Sequence, residues 1–314
     1  MKKKLDKEGK EEILRKLQVR GHKNVRREIL FDPVKWICFF LILCIVAAGG
    51  YLAFILYRQW EKPYRDQAKS VENMQMIMDA IERYRAENNG QYPLPYTIDS
   101  NGDPLLSWRV HILPYIQDKN GLPIYQDLYN QFDLKKSWLH SENSKLLSQM
   151  PDIFFSPMND GLPLDGMCNY LTIRHKDSVF PGGTIIFSEG IEDPPKYTVA
   201  VVEVGAEDAV HWTEPRDFVF NPEEAKEGAP DSPHGGKLVC GMCDGSVRVL
   251  DAPPDLRETL QNLPPEKRAE ENPWTLPFLR NNGYIPPVGE IDNLPPEAPP
   301  KNTDPMEGSI YDNR

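Results

Sequence analysis

Three oxygen-bearing side chains occupy alternate positions in one short polar segment. Asp99, Asn101 and Asp103 lie in the run Asp-Ser-Asn-Gly-Asp, and carboxylate and amide oxygens are ligands that calcium prefers. The order of an EF-hand loop, with Gly after the third acidic position, is absent. The same side chains also favour Asx turns. The segment therefore predicts a plain Asx turn, with calcium binding as the alternative.

Cys240 and Cys243 form a Cys-x-x-Cys motif. In thioredoxin-like enzymes this motif begins a helix after a strand, which stabilises one thiolate. Here it lies inside a predicted strand, where alternation sends the two side chains to opposite faces. A disulfide between them would need a local turn at Gly241. The pattern argues against redox chemistry, and it leaves open a pairing of Cys168 with either of them.

The histidines of the chain lack the short paired spacing of a zinc site. His234 precedes Gly235 and Gly236, which permit close backbone approach, so we predict a turn-stabilising hydrogen bond rather than metal ligation. A Walker loop, a nucleophile elbow and a dinucleotide fingerprint are also missing. The sequence predicts a protein that is not an enzyme and needs no cofactor. The histidines considered are His111, His140, His175, His211 and His234.

A membrane span is predicted from Trp36 to Tyr57, a run without a charged residue. A helix crosses a bilayer with about 20 apolar residues. Residues 1–35 carry 12 Lys or Arg and 6 Asp or Glu, a net charge of +6, so residues 36–314 carry −17 of the total of −11. Basic residues stay on the cytoplasmic side. We expect a cytoplasmic N-terminus and a periplasmic or extracytoplasmic main domain.

A cleaved secretory signal is the competing interpretation of this run. Its apolar region would be about 7–15 residues long and nearer the N-terminus. We therefore expect a retained signal anchor in the inner, cytoplasmic membrane, with the lipid bilayer as a partner. The acidic outer part excludes nucleic acid, whose binding requires a basic surface.

The segment after the span has the pattern of a helix followed by strands. Pro63 is expected to interrupt it, and Val71, Met74, Met78 and Ile81 then recur at helical spacing. The run Asn88-Asn89-Gly90 is expected to end this helix. An α+β plan follows. The candidate strands are residues 169–174, 184–188, 198–204 and 237–250, the last with a hairpin turn at Asp244-Gly245.

Proline is concentrated in the C-terminal segment, where it makes up 13 of the last 63 residues. Such a composition disfavours helices and central strands, so we predict an extended, largely disordered tail. The stretch from Trp274 to Leu279 is its one plausible docking element. The predicted organisation is a basic tail (1–35), a transmembrane helix (36–57), a membrane-proximal helix (58–90), an α+β domain (91–251) and the tail (252–314).

Several motifs occur together in the outer part, and they carry a family resemblance. The chain resembles the prepilin-like domain of unknown function 1559, a family abundant in planctomycete bacteria and also labelled solute-binding-like. The resemblance runs from about residue 68 to residue 251. The motifs are Ser107-Trp108-Arg109, Leu113-Pro114-Tyr115, Trp212-Thr213 with Pro215, His234-Gly235-Gly236 and Asp244-Gly245-Ser246.

This resemblance implies a pseudopilin-like fold, in which a single N-terminal transmembrane helix leads into a helix packed on an antiparallel sheet. Family members commonly begin with a prepilin signal, but Gly21 is followed here by a polar run rather than an apolar one. A permanently anchored protein is therefore expected, with an outer domain that serves structure or binds an envelope protein or glycan. The alternative is an extracytoplasmic solute-binding domain that delivers a small ligand to a membrane partner.

Overall fold

The computed structural model describes residues 9–16, 18, 33–159, 166–182 and 186–281. The chain divides into two compact units, Met1–Lys62 and Pro63–Arg314, and each is treated by itself below. The longest element is helix α1, Pro33–Glu87, which contributes residues to both units.

The first unit contains the apolar part of α1. Among the described residues, α1 is the one helix long and apolar enough to cross a membrane. Its most apolar window has a mean hydropathy of 2.6, and none of that window is buried within the chain. A core helix of a soluble domain would bury such a surface. The predicted apolar helix at Trp36 to Tyr57 is thus confirmed.

In the second unit, α1 continues through Pro63, so the predicted interruption there is wrong. Proline removes one backbone donor from a helix, but the turns that follow are fixed by burial against the sheet. The helix ends at Glu87, and Asn89 and Gly90 then adopt φ values of 53° and 78°. The predicted cap is confirmed. The buried positions of α1 are Ser70, Asn73, Met74, Ile77, Met78, Ala80 and Ile81.

The second unit is built on a sheet of five strands in the order β7-β4-β5-β8-β9. Its pairings are antiparallel except for β4 with β7, which is parallel. Two small antiparallel pairs, β1-β2 and β3-β6, lie outside it. The strands are β1 Tyr96–Ile98, β2 Pro104–Ser107, β3 Met167–Cys168, β4 Tyr170–Arg174, β5 Val199–Glu203, β6 Val210–His211, β7 Phe218–Val219, β8 Lys237–Met242 and β9 Val247–Asp251.

Three of the four predicted strands are confirmed, as β4, β5 and the β8-β9 hairpin with its turn at Asp244-Gly245. Gly245 takes a φ of 83°, which a glycine tolerates. The fourth, at residues 184–188, is wrong in its described part. Phe187 forms only an isolated bridge with Gln91, and Ser188–Gly190 is a 3-10 turn. Residues 184 and 185 of that stretch lie outside the described part of the chain.

Short helices join and cover the strands. Trp108–His111 (α2), Gln126–Tyr129 (α3) and Ser141–Ser144 (α4) precede β3. Leu256–Gln261 (α5), Pro265–Glu271 (α6) and Thr275–Phe278 (α7) follow β9. The predicted extended tail is therefore wrong for residues 252–281, because its prolines stand in linkers or in the first turn of a helix, where proline is tolerated. Residues 282–314 lie outside the described residues.

Two apolar cores result, one on each face of the sheet. The helix-side core contains Met74, Ile77 and Ile81 of α1 together with Trp108 and Trp212. The opposite core packs α5 and α7 against the sheet and confirms the predicted docking of the Trp274 stretch. Its members include Leu171, Ile173, Val202, Leu238, Leu256, Leu260, Trp274 and Phe278. The fold is α+β, as predicted.

Candidate functional site

A buried ion pair joins α2 to the segment before β7. Arg109 Nη2 lies 2.6 Å from Asp217 Oδ1, and both side chains are fully enclosed. The same oxygen accepts hydrogen bonds from Trp108 Nε1 at 3.1 Å and from the amide of Thr172 at 2.9 Å. A buried charge is tolerated when it is paired and hydrogen-bonded. We call these four residues and Ser107 the arginine network.

The local sequence explains how Arg109 reaches this position. Ser107 precedes the first turn of α2, and its hydroxyl accepts from the amide of Arg109 at 3.4 Å and from its Nη1 at 2.7 Å. Arg109 Nε donates to the carbonyl of Tyr170 at 3.0 Å. The amide of Ser107 donates to the carbonyl of Thr213 at 3.2 Å. The Ser107-Trp108-Arg109 motif and the Trp212-Thr213 motif are thus joined by a hydrogen bond.

Trp212, which precedes Thr213 in its motif, is also held by buried contacts. Its Nε1 donates to the carbonyl of Leu147 at 3.0 Å, and its ring stacks on Phe154 with centroids 6.1 Å apart. Burying a tryptophan while satisfying its one donor is the usual arrangement for this side chain. Pro215 follows in the half-buried turn that leads to Asp217.

A second buried carboxylate, Glu203, lies on β5 and faces α1. Its Oε1 accepts from Ser70 Oγ at 2.7 Å, and its Oε2 lies 2.9 Å from His234 Nε2. The Glu203 side chain is fully enclosed and that of His234 is 3% exposed. Tyr170 lies nearby, and burial, followed by the charge of Glu203, raises its pKa. We call Ser70, Glu203 and His234 the glutamate network.

The glycine pair after His234 shapes the loop that carries it. Gly235 and Gly236 have φ values of 62° and 90°. A Cβ on Gly236 would lie 2.5 Å from the carbonyl oxygen of Ala252, so both conformation and space require glycine there. The Ser232 hydroxyl accepts from the amide of Gly236 at 3.0 Å. The hydrogen bond of His234 therefore reaches across to β5, whereas the sequence suggested one within the turn.

The remaining motif residues lie elsewhere in the second unit. Pro114 and Tyr115 form a 3-10 turn, where the Tyr115 carbonyl accepts from Arg83 Nη1 at 3.1 Å and burial raises the pKa of the Tyr115 phenol. In the β8-β9 turn, Asp244 Oδ1 accepts from the amide and hydroxyl of Ser246 at 3.0 Å and 2.5 Å. The motifs thus divide among two networks and two turns instead of forming a single cleft.

The calcium candidates form a tight turn that has a copy elsewhere. Asp99 Oδ1 accepts from the amides of Asn101 and Asp103 at 2.8 Å and 2.9 Å, and these backbone hydrogen bonds lower the pKa of Asp99. Asp118 Oδ1 accepts in the same way from the amides of Asn120 and Leu122, at 2.8 Å and 2.9 Å. The second loop has Leu122 where the first has Asp103. The same turn therefore forms in a loop that lacks the third oxygen-bearing side chain, so the turn at Asp99 does not require calcium.

The three cysteines of the second unit, Cys168, Cys240 and Cys243, are free and buried. Cys240 belongs to the core opposite α1, whereas Cys243 and Cys168 belong to the helix-side core, so the motif cysteines lie on opposite faces, as alternation predicts. Burial raises the pKa of all three thiols, that of Cys243 to about 12. Reactive cysteines have lowered pKa values and partial exposure. These thiols have neither.

Sequence reasoning missed the acidic partners of both networks. Glu203 is the one charged residue in the apolar run from Thr198 to Val204, and a lone charge in a buried strand signals a buried partner. Ser70 shares the buried face of α1 with Met74 and Ile77, which its helical spacing could have indicated. Asp217 follows Arg216 in a turn and carries no comparable local signal.

Comparison with known proteins finds a match for the segment that contains Ser70, Trp108 and Arg109. Residues 67–160 match a family model described as protein of unknown function (DUF1559). This segment is similar to that family. The match covers under a third of the chain and contains the Ser107-Trp108-Arg109 and Leu113-Pro114-Tyr115 motifs. No curated protein matches the chain, and no solved structure does.

Proposed function

We propose that the chain is a non-enzymatic, single-pass protein of the cytoplasmic membrane, with residues 1–35 in the cytoplasm and the second unit on the outer side. The observation that carries the proposal is α1, whose apolar window has a mean hydropathy of 2.6 and no buried residue. Such a surface requires an apolar medium outside the chain. The basic residues before it supply the orientation.

The second unit is proposed to act as an interaction or structural module of the cell envelope, as the prepilin-like resemblance implies. Support comes from how its motif side chains are used. Arg109 and Asp217 pair with each other, and Glu203 pairs with His234. Groups held in this way order a core and give it a single arrangement. Contact with a protein or glycan then falls to the exposed loops.

Topology can be tested by introducing single cysteines into the full chain. Asn120 is exposed in the loop of Asp118. Asn120→Cys should therefore react with a membrane-impermeant maleimide in intact cells. Lys10→Cys, in the N-terminal segment, should react only after permeabilisation. Buried Cys168, Cys240 and Cys243 should give little background. Reversed labelling, or release of the chain into the soluble fraction, would contradict the proposal.

The interaction role can be tested by photo-crosslinking in intact cells. Leu122 and Leu139 are 62% and 67% exposed, and large apolar side chains at such positions are suited to contact a partner. A photoreactive residue at either position should give a discrete adduct of constant mass, whereas one at the exposed Lys226 should not. If no position gives an adduct and the purified chain binds a small solute saturably, the solute-binding alternative replaces this role.

A further inference from the structure

Arg174 at the end of β4 is a half-buried cation whose hydrogen-bonding groups are unused. Among the described residues its guanidinium has no hydrogen-bond or ion-pair partner, and its Nε is buried without one. A buried donor left unpaired destabilises the fold, and it does so more strongly when it is charged. Such an exception needs an explanation, and a bound anion would supply one.

Three other arginines of the second unit have their guanidinium groups paired within the chain. Arg109 pairs with Asp217, and Arg257 pairs with Glu207 and Asp208. Arg280 donates to the carbonyls of Ser178 and Gly190. The whole chain carries a net charge of −11, with 47 acidic residues. An acidic partner for Arg174 would therefore be easy to supply from within, yet the described residues provide none.

The guanidinium is nevertheless held in a defined position. Its Cζ lies over the ring of Tyr96 on β1, 4.9 Å from the centroid. Gly182 lies beside it with a φ of 85°, and a Cβ there would collide with Nη2. The Tyr96 hydroxyl lies 3.7 Å from that same Cβ position. All three residues are half-buried, so solvent reaches a fixed cation with a phenol beside it.

We propose that Arg174 and Tyr96 form a binding site for one oxyanion group, a carboxylate, sulfate or phosphate carried by a solute or a glycan. The planar guanidinium donates two parallel hydrogen bonds to such a group, and stacking on an aromatic ring fixes that plane in advance. The phenol adds a third donor. The inference goes beyond the proposed anchoring and interaction role and depends on neither the span nor a protein partner.

Anion titrations of the full chain in detergent micelles test the site. Thermal unfolding is followed while acetate, glucuronate, sulfate or phosphate replaces chloride at constant ionic strength. We expect a saturable rise in Tm with at least one of these anions. A rise in Tm with both acetate and glucuronate identifies a carboxylate site. A rise with sulfate or phosphate identifies a site for a tetrahedral oxyanion. A response no larger than that to chloride would overturn the proposal.

Variants separate a binding site from a general charge effect. Arg174→Gln should remove the saturable response, and Arg174→Lys should weaken binding at least tenfold because a lysine lacks the fork. Gly182→Ala should also weaken it, by displacing the guanidinium. The control is Arg248→Gln, since Arg248 also lies over a tyrosine, Tyr197, at 5.5 Å.

The same variants define the result that contradicts the site. An unchanged anion response in Arg174→Lys and Arg174→Gln would show an adventitious ion only. If Arg174→Gln does not fold, Arg174→Lys and Gly182→Ala, which keep the charge, still decide the question. Loss of the response in Arg248→Gln as well would assign the effect to net charge and would also overturn the site.

Discussion

The two faces of the five-stranded sheet are covered in different ways. On the side of α1, the apolar core encloses two polar networks, centred on Asp217 and Glu203. On the other side, α5 and α7 pack through side chains such as Leu260 and Phe278. Apolar packing is non-directional, whereas buried hydrogen bonds demand one geometry. We infer that the α1 side fixes the register of the fold and the opposite side mainly adds buried area.

The largest effect is expected from Asp217→Ala on the α1 side. This change leaves the charge of Arg109 buried without its carboxylate, which typically costs about 3–5 kcal/mol. Denaturant unfolding of the full chain in micelles, followed by tryptophan fluorescence, measures the loss. Arg216→Ala serves as the matched control, because Arg216 is exposed and its pair with Glu214 is at the surface. Equal losses in the two variants would contradict the assigned role of the network.

A smaller loss is expected from Leu260→Ala on the opposite face. Leu260 is fully buried in α5, and truncating a buried leucine costs about 2–5 kcal/mol. We expect the lower part of that range, because a short helix at the edge of the core can move to close the cavity. Leu276→Ala, at a residue 41% exposed, is the control. A loss larger than that of Asp217→Ala would reverse the comparison of the two faces.

The apolar side of this comparison was harder to predict from the sequence than the strands that support it. The strand pattern of residues 237–250 and the Asp244-Gly245 turn predicted β8 and β9 directly. Proline content concealed α5 to α7, because composition does not reveal that Pro265 begins a helix. The arginine network could not be predicted from the sequence for another reason. Arg109 and Asp217 are 108 residues apart, and only the folded chain brings them together.

Ser70→Ala tests the glutamate network from the helix side. The change removes the donor to Glu203 Oε1 and leaves a buried carboxylate oxygen unsatisfied, at a cost of about 1–3 kcal/mol. The comparison is Ser148→Ala, at an exposed serine, which should be within about 0.5 kcal/mol of the wild type. If Ser70→Ala were as stable as Ser148→Ala, Glu203 would not fix α1 on the sheet.

His111 should make the α1 side sensitive to acid. Burial lowers its pKa to about 4, while a histidine in the unfolded chain titrates near pH 6.5. The unfolded state therefore binds the proton first, and stability is lost as pH falls from about 6.5 towards 4. Between pH 6.5 and 5 this contributes at most about 2 kcal/mol.

The measurement is the free energy of unfolding at pH 7, 6 and 5 in the wild type and in His111→Leu. The variant should lose less stability across this range, because it has no imidazole to protonate. His140→Leu, at an exposed histidine, should keep the full dependence. Parallel curves for all three proteins would show that another group produces the acid sensitivity.

The smallest effect is expected at the paired loops of Asp99 and Asp118, which belong to neither core. Since each carboxylate accepts hydrogen bonds from the amides two and four residues after it, Asp99→Ala and Asp118→Ala should lower Tm slightly and to the same degree. Added calcium should shift Tm in neither variant nor in the wild type, because each carboxylate is already occupied by its own turn. A calcium-dependent rise that Asp99→Ala abolishes and Asp118→Ala retains would instead assign the metal to Asp99, Asn101 and Asp103, and would place a binding function outside both faces of the sheet.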